Sequence, residues 1–144
     1  MGKTEIIRRE YMLKDRARDY FIEKDFNCAE TVIRCIRDEY GLDISEDDLK
    51  LVSGFGGGMG CGQTCGALCG LIAAYGKMAV KNRAHATADF GKNCGAICGA
   101  FNRVLGSMQC AQLKKLYSSQ QNRCLKTVEM ALDVFEEYMA KENG

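Results

Sequence analysis

The chain has 144 residues, with 20 Lys and Arg against 19 Asp and Glu, so its net charge is close to zero. The length suits one domain with a hydrophobic core, and the balanced charge argues against a general nucleic-acid binder, which carries a basic excess. No apolar run reaches the roughly 18 residues of a membrane-spanning helix, and the charged N-terminus does not resemble a signal peptide. We therefore expect a single domain over residues 1–144, located in the cytoplasm, that binds no nucleic acid and does not insert into a membrane.

Proline is absent and alternating β-branched runs are scarce, which predicts an all-α, single-domain helical bundle of about six to seven helices. Start signals, stop signals and apolar periodicity place these helices at about 4–24, 28–40, 45–52, 64–81, 86–105, 107–116 and 119–141. Asn27, Ser45 and Thr64 are predicted N-caps, and Gly41 and Gly106 are expected to end helices. The first helix should bury an apolar face formed by Ile6, Ile7, Tyr11, Leu13, Ala17, Tyr20 and Phe21.

Nine cysteines are the most unusual feature of the composition. Disulfides rarely persist in the cytosol, so clustered cysteines there indicate a metal site or redox-active thiols. The odd number also argues against a closed set of disulfides. One or a few of these residues, Cys35 above all, are expected to be ordinary buried apolar side chains.

A glycine-rich loop leads into the fourth predicted helix. Residues 53–70 read Ser-Gly-Phe-Gly-Gly-Gly-Met-Gly-Cys-Gly-Gln-Thr-Cys-Gly-Ala-Leu-Cys-Gly, and the glycines let the backbone turn tightly or approach a ligand closely. If Thr64 caps the helix, Cys65 lies in its first turn, where the positive helix end favours a thiolate. The loop supplies Cys61, and Cys69 lies one turn beyond Cys65 on the same face. The pattern therefore indicates a thiolate site.

One motif occurs twice. Cys65-Gly-Ala-Leu-Cys69-Gly recurs later in the chain as Cys94-Gly-Ala-Ile-Cys98-Gly. Two helices with the same small-residue face can pack backbone to backbone and bring their sulfurs together. Small residues at four-residue spacing are also a common packing device, so the repeat leaves both interpretations open.

The available chemistry is that of sulfur. Thiolates select soft metals: zinc, cuprous copper and iron–sulfur clusters. The three-residue gaps between Cys61, Cys65 and Cys69 differ from the Cys-x2-Cys spacing of zinc ribbons and ferredoxins, although one helix face can still supply two ligands. Dithiol redox chemistry without a metal is the other interpretation, because a helix N-terminus lowers the pKa of a thiol. His85, the only histidine, is predicted to be solvated.

Several segments form a specific combination when they are taken together. They are Asn27-Cys28-Ala29-Glu30, the glycine loop of residues 53–60, Cys65-Gly66-Ala67-Leu68-Cys69-Gly70, Gly106-Ser107-Met108-Gln109-Cys110 and Arg123-Cys124. This combination resembles the C_GCAxxG_C_C family of redox-active proteins over nearly the whole chain. The resemblance implies a helical redox protein, and a similar domain occurs in split-Soret cytochromes, where its cysteines are associated with an iron–sulfur centre. The ligands or redox thiols that it implies are Cys28, Cys65, Cys110 and Cys124.

Four other cysteines depart from the family pattern. Cys61, Cys69, Cys94 and Cys98 can enlarge a cluster, form a second metal centre or supply resolving thiols, so the cluster type stays open. We expect a redox or electron-transfer protein with a cysteine-ligated iron–sulfur cluster. The alternatives are a metal-free thiol–disulfide oxidoreductase or redox sensor, a zinc or copper thiolate site, and a purely structural or partner-binding bundle. The redox partner is unknown, a homodimer is an open alternative, and enzymatic activity is undecided.

Overall fold

A computed structural model gives the fold of residues 2–143, without the side chains of residues 6, 9–12 and 143. The six α-helices are α1 (Lys3–Arg18), α2 (Cys28–Tyr40), α3 (Gly66–Ala79), α4 (Phe90–Leu105), α5 (Cys110–Tyr117) and α6 (Leu125–Asn143). Short π-helical or 3₁₀ turns span Asp19–Glu23, Asp48–Phe55, Gly58–Gly62 and Ala84–Ala86. Within residues 2–143 no β-strand forms, which confirms the all-α prediction. None of the described helices is both long and apolar enough to cross a membrane.

The second helix begins and ends where the sequence predicts. The side chain of Asn27 accepts the backbone N–H of Glu30, and the Glu30 carboxylate accepts the N–H of Asn27, which forms a capping box. Gly41 ends the helix in the left-handed conformation, with φ of 62°. These signals act within a few residues, so they can be recognised without knowledge of the fold.

The first predicted helix is only partly buried. α1 passes into a π-helical turn at Asp19–Glu23, and Leu13, Ala17 and Phe21 are buried as expected. Ile7, by contrast, is 65% exposed, because the apolar cover begins further along the helix. The expected contributions of the Ile6 and Tyr11 side chains fall outside the described residues.

Several other predicted helix starts are too early in the chain. The third helix is a 3₁₀ helix over Asp48–Phe55, and Ser45 caps the turn before it by accepting the N–H of Asp48. Likewise α4, α5 and α6 begin several residues after their predicted starts. The hydroxyls of Ser107 and Ser119 accept backbone N–H groups two and three residues ahead, which stabilises turns instead of helices.

The core forms around α2, which packs most extensively against α3. The close approach depends on the glycines of α3: a Cβ at Gly70 would lie 2.9 Å from the carbonyl oxygen of Ala29 and 3.2 Å from the Cβ of Val32. The helix α6 also contributes to the core, because its Val128 and Phe135 are completely buried. Gly70 therefore permits a helix separation that any larger residue would prevent.

The two repeated motifs do not pack glycine face to glycine face. The motif glycines of α3, Gly66 and Gly70, approach α2, whereas a Cβ at Gly95 of α4 would meet no atom within 4 Å, and one at Gly99 only the guanidinium of Arg103, at 3.5 Å. α4 instead contributes Ile97 and Phe101 to the core. The interpretation of the repeat as a backbone-to-backbone pair is therefore wrong.

Replacing one glycine of each motif by alanine, at the equivalent positions 70 and 99, tests this difference in packing. Gly70→Ala should destabilise the protein by roughly 1–3 kcal/mol, because the new methyl group overpacks the contact with α2. Gly99→Ala should be neutral or stabilising by up to about 1 kcal/mol, because alanine favours helix and the site has room. Urea denaturation followed by circular dichroism measures both, and equal effects would contradict the packing described.

Candidate functional site

Four cysteines from separate segments line one small cavity. Its lining residues are Cys28, Gly57, Cys65, Cys110, Leu113, Lys114, Cys124 and Thr127, and its volume of about 30 Å³ is enough to hold a water molecule. All four cysteines are free thiols. Cys65 and Cys110 are buried, while Cys28 and Cys124 are half-buried. Two of the four lining cysteines are therefore partly accessible to solvent.

Each of these cysteines lies at the N-terminal end of a helix. Cys28 and Cys110 are the first residues of α2 and α5, and Cys65 and Cys124 immediately precede α3 and α6. No side chain caps the N-terminus of α3 or α5. Since unpaired N–H groups give a helix N-terminus a partial positive charge, the cavity is surrounded by sites that favour negative charge.

Backbone hydrogen bonds fix the starts of α3 and α5 against each other. The N–H of Cys65 donates to the carbonyl oxygen of Met108 (2.8 Å), and the N–H of Cys110 donates to that of Gln63 (2.6 Å). Thr64 lies within this paired segment. The prediction that Thr64 caps α3 is therefore wrong: Cys65 is the N-cap and not a residue of the first turn.

The start of α2 is tied to the glycine loop. The side-chain amide of Asn27 donates to the carbonyl oxygen of Ser53 (2.8 Å), and the backbone of Gly57 acts on the thiol of Cys28 by lowering its pKa, against the larger effect of burial. A Cβ at Gly66 would lie 2.5 Å from that sulfur. The missing side chain at Gly66 is thus what lets the Cys28 sulfur approach the start of α3.

Gly58 joins the loop to the third cysteine. Its φ of +61° is left-handed, and a Cβ there would lie 2.7 Å from the Cβ of Cys110. Met59 and Cys61, farther along the loop, are exposed and do not line the cavity. The predicted thiolate site at Cys61, Cys65 and Cys69 is therefore not the group that the fold brings together around this cavity.

Arg123 holds the fourth cysteine in place. Its guanidinium donates to the carbonyl oxygen of Phe21 (2.6 Å) and to the carboxylate of Asp25 (3.0 Å). Its backbone is left-handed, with φ of 51°. These contacts anchor the segment that carries Cys124 to the turn after α1. Sequence reasoning did not find this role, because both partners lie about 100 residues away in the chain.

Burial governs the protonation of the cavity thiols. Burial, reinforced by the neighbouring thiols of Cys28 and Cys110, raises the pKa of Cys65 to about 12, although nearby backbone amides act in the opposite direction. Burial also raises the pKa of Cys28 and of Cys110, and only the Lys114 ammonium counteracts this at Cys110. The expectation that Cys65 is an activated thiolate is therefore wrong, since this pKa makes it a neutral thiol near pH 7.

A comparison with family models identifies the family of this chain. Residues 26–138 match the model of the family described as "putative redox-active protein (C_GCAxxG_C_C)". The chain belongs to this family. As a C_GCAxxG_C_C protein it has the general redox role that the family description gives, and the match contains all four cavity cysteines. No curated protein and no solved structure matches the chain.

The remaining cysteines of this C_GCAxxG_C_C protein lie outside the cavity. Cys69 on α3 is half-buried and interacts electrostatically with Cys28 and with Cys98 on α4. Cys98 in turn interacts with Cys94. Cys69, Cys94 and Cys98 therefore influence one another electrostatically, and none of them lines the cavity.

Cys35 and His85 have the surroundings that the sequence predicts. Cys35 is fully buried, and burial raises its pKa to about 12. His85 is exposed in the short turn before α4. Neither residue lines the cavity.

The cavity has the donor chemistry of an iron–sulfur cluster. It offers four sulfurs, the common ligand set of such clusters, and the buried Oγ1 of Thr127 has no hydrogen-bond partner. In the described part of the chain, however, no three His, Cys, Asp or Glu side chains are arranged to hold a single metal ion. The sulfurs therefore share a cavity without converging on one point.

Thiol labelling tests the contrast between exposed and buried cysteines. Brief treatment of the native protein with iodoacetamide should alkylate Cys61 at least about tenfold faster than Cys35, because reaction needs an accessible thiolate. Cys61 is exposed, whereas Cys35 has no exposed surface and a pKa of about 12. Peptide mass spectrometry measures both, urea-unfolded protein is the control, and similar native rates would contradict the assignment.

Proposed function

We propose that this protein is an electron-transfer protein that carries an iron–sulfur cluster on Cys28, Cys65, Cys110 and Cys124. The main support is that these four cysteines, at the starts of four helices, line one cavity. Four cysteine thiolates are the usual ligands of such clusters. The general redox role of the family agrees with this chemistry.

The electrostatic surroundings support a negatively charged group in the cavity. A cluster held by thiolates adds negative charge to a mostly buried site, which is unfavourable unless positive groups surround it. Four helix N-termini provide partial positive charge, and the ammonium of Lys114 lies at the cavity edge. The chain thus offers compensating charge on several sides.

The same residues would determine how electrons enter and leave. When bound, the cluster would supply one-electron chemistry. Leu113 and the buried Cys65 and Cys110 would keep water from its inner side. The half-buried Cys28 and Cys124 would form the side on which a redox partner docks.

The alternatives have less support from the geometry. A zinc or copper ion needs ligands that converge on one point, and among the described residues no such group of three exists. A metal-free dithiol function is favoured by one observation, the half-buried group of Cys69, Cys94 and Cys98. There, two thiols would give up two electrons and two protons to an external disulfide and form a disulfide themselves.

Anaerobic purification with paired cysteine variants tests the proposal. The wild-type protein should be brown and contain iron and acid-labile sulfide. Cys65→Ser should lose most of the visible absorption and iron, because a cavity ligand is removed, whereas Cys35→Ser should keep both, because Cys35 lies in the core. Absorption spectra with iron and sulfide assays measure these differences.

Three results would contradict the proposal. Equal loss of iron in the two variants would show that the assignment of Cys65 is wrong. A colourless protein that contains zinc or copper would support a metal-binding function instead. A colourless protein without metal, in which thiols become protected from alkylation after mild oxidation, would support the thiol–disulfide function.

A further inference from the structure

Thr127 lines the cavity and carries an unpaired polar atom. It lies in the first turn of α6, three residues after Cys124, and is only 2% exposed. Its Oγ1 has no hydrogen-bond partner, although Thr127 lines the cavity with the four cysteines. Since buried hydroxyls are normally hydrogen-bonded, an acceptor within the cavity would satisfy this one, whereas the equally unpaired Oγ1 of Thr31 does not line the cavity.

The other lining groups are poor partners for an isolated water molecule. A buried water typically makes about two to four hydrogen bonds, but besides Thr127 itself the cavity is lined by four thiols, Leu113, Gly57 and one charged side chain, Lys114. Thiols are weak donors and weak acceptors. Thiolates and cluster sulfides, in contrast, accept hydrogen bonds from hydroxyl groups. The unpaired hydroxyl is therefore better explained by a sulfur acceptor.

We infer that the Thr127 hydroxyl donates a hydrogen bond to a sulfur atom of the cluster or of its ligands and raises the reduction potential. This inference rests on the function proposed above. On reduction the cluster gains one electron from an external reductant, no covalent bond breaks, and the proton stays on Oγ1. Because the reduced form is more negative, a donor to sulfur stabilises it more than the oxidised form. Thr127 thus does not react itself; it acts on the reduction potential through the sulfur that accepts its hydrogen bond.

Thr31 provides a matched control. It is fully buried, and its Oγ1 also lacks a hydrogen-bond partner. It lies on α2 and does not line the cavity. Thr31→Val and Thr127→Val therefore remove the same chemical group from two equally buried positions, and only one of these positions faces the cavity.

The reduction potential of the reconstituted cluster tests the inference. Protein loaded with ferrous iron and sulfide without oxygen is titrated with a reductant and followed by visible absorption. Thr127→Val should increase the ratio of oxidised to reduced cluster about tenfold at a fixed potential, which equals about 59 mV for one electron. Thr31→Val and Thr127→Ser, which keep the cavity hydroxyl, should stay within about twofold of wild type, because the donor is still present.

The stability of the metal-free protein provides a second measurement. Valine removes an unpaired buried hydroxyl at either position, so Thr127→Val and Thr31→Val should both raise the midpoint of thermal unfolding before loading. A lowered potential together with raised metal-free stability cannot result from misfolding. If Thr127→Val does not fold, Thr127→Ala removes the same donor and should lower the potential in the same direction.

The outcomes separate this inference from the proposed function. If the wild-type protein takes up the cluster, but Thr127→Val and Thr31→Val change its potential equally or not at all, the role of Thr127 is overturned. The cluster proposal stays intact in that case. A wild-type protein that takes up no iron and sulfide overturns the proposed function, and the inference with it.

Discussion

Four helices, α2, α3, α5 and α6, begin at one cavity, and a cysteine lies at each beginning. Helix N-termini leave backbone N–H groups unpaired, and like partial charges repel when they are brought together. Negative charge between the helices would stabilise such an arrangement. The cysteines supply groups that can become negative, so the bundle topology and the sulfur chemistry depend on each other.

The contacts that build the core also assemble the site. The absence of a side chain at Gly66 lets the Cys28 sulfur approach α3, and Gly70 lets the two helices pack closely one turn later. Farther away, Arg123 links the start of α6 to the turn after α1. Changes at these positions alter the cavity without touching a sulfur, because helix packing determines the distances between the cysteines.

The nine cysteines have several different surroundings, which explains why their number alone does not define one centre. Four share the cavity, and Cys35 is a buried part of the core. Cys61 lies on the exposed loop, whereas Cys69 on α3 and Cys94 and Cys98 on α4 are half-buried and interact electrostatically. The repeated motif is part of this difference, because its glycines pack against α2 in one helix and are open in the other.

The sequence by itself determined the features that depend on neighbours within a few residues: the all-α fold and the ends of α2, set by Asn27 and Gly41. The four cysteines could be named from family motifs, but their shared cavity depends on contacts between distant segments. Pairing of the residues before α3 with those before α5 made Cys65 an N-cap, and burial then raised its pKa. Only the tertiary structure decided these properties and the position of Thr127, because burial and long-range hydrogen bonds arise from segments that are far apart in the chain.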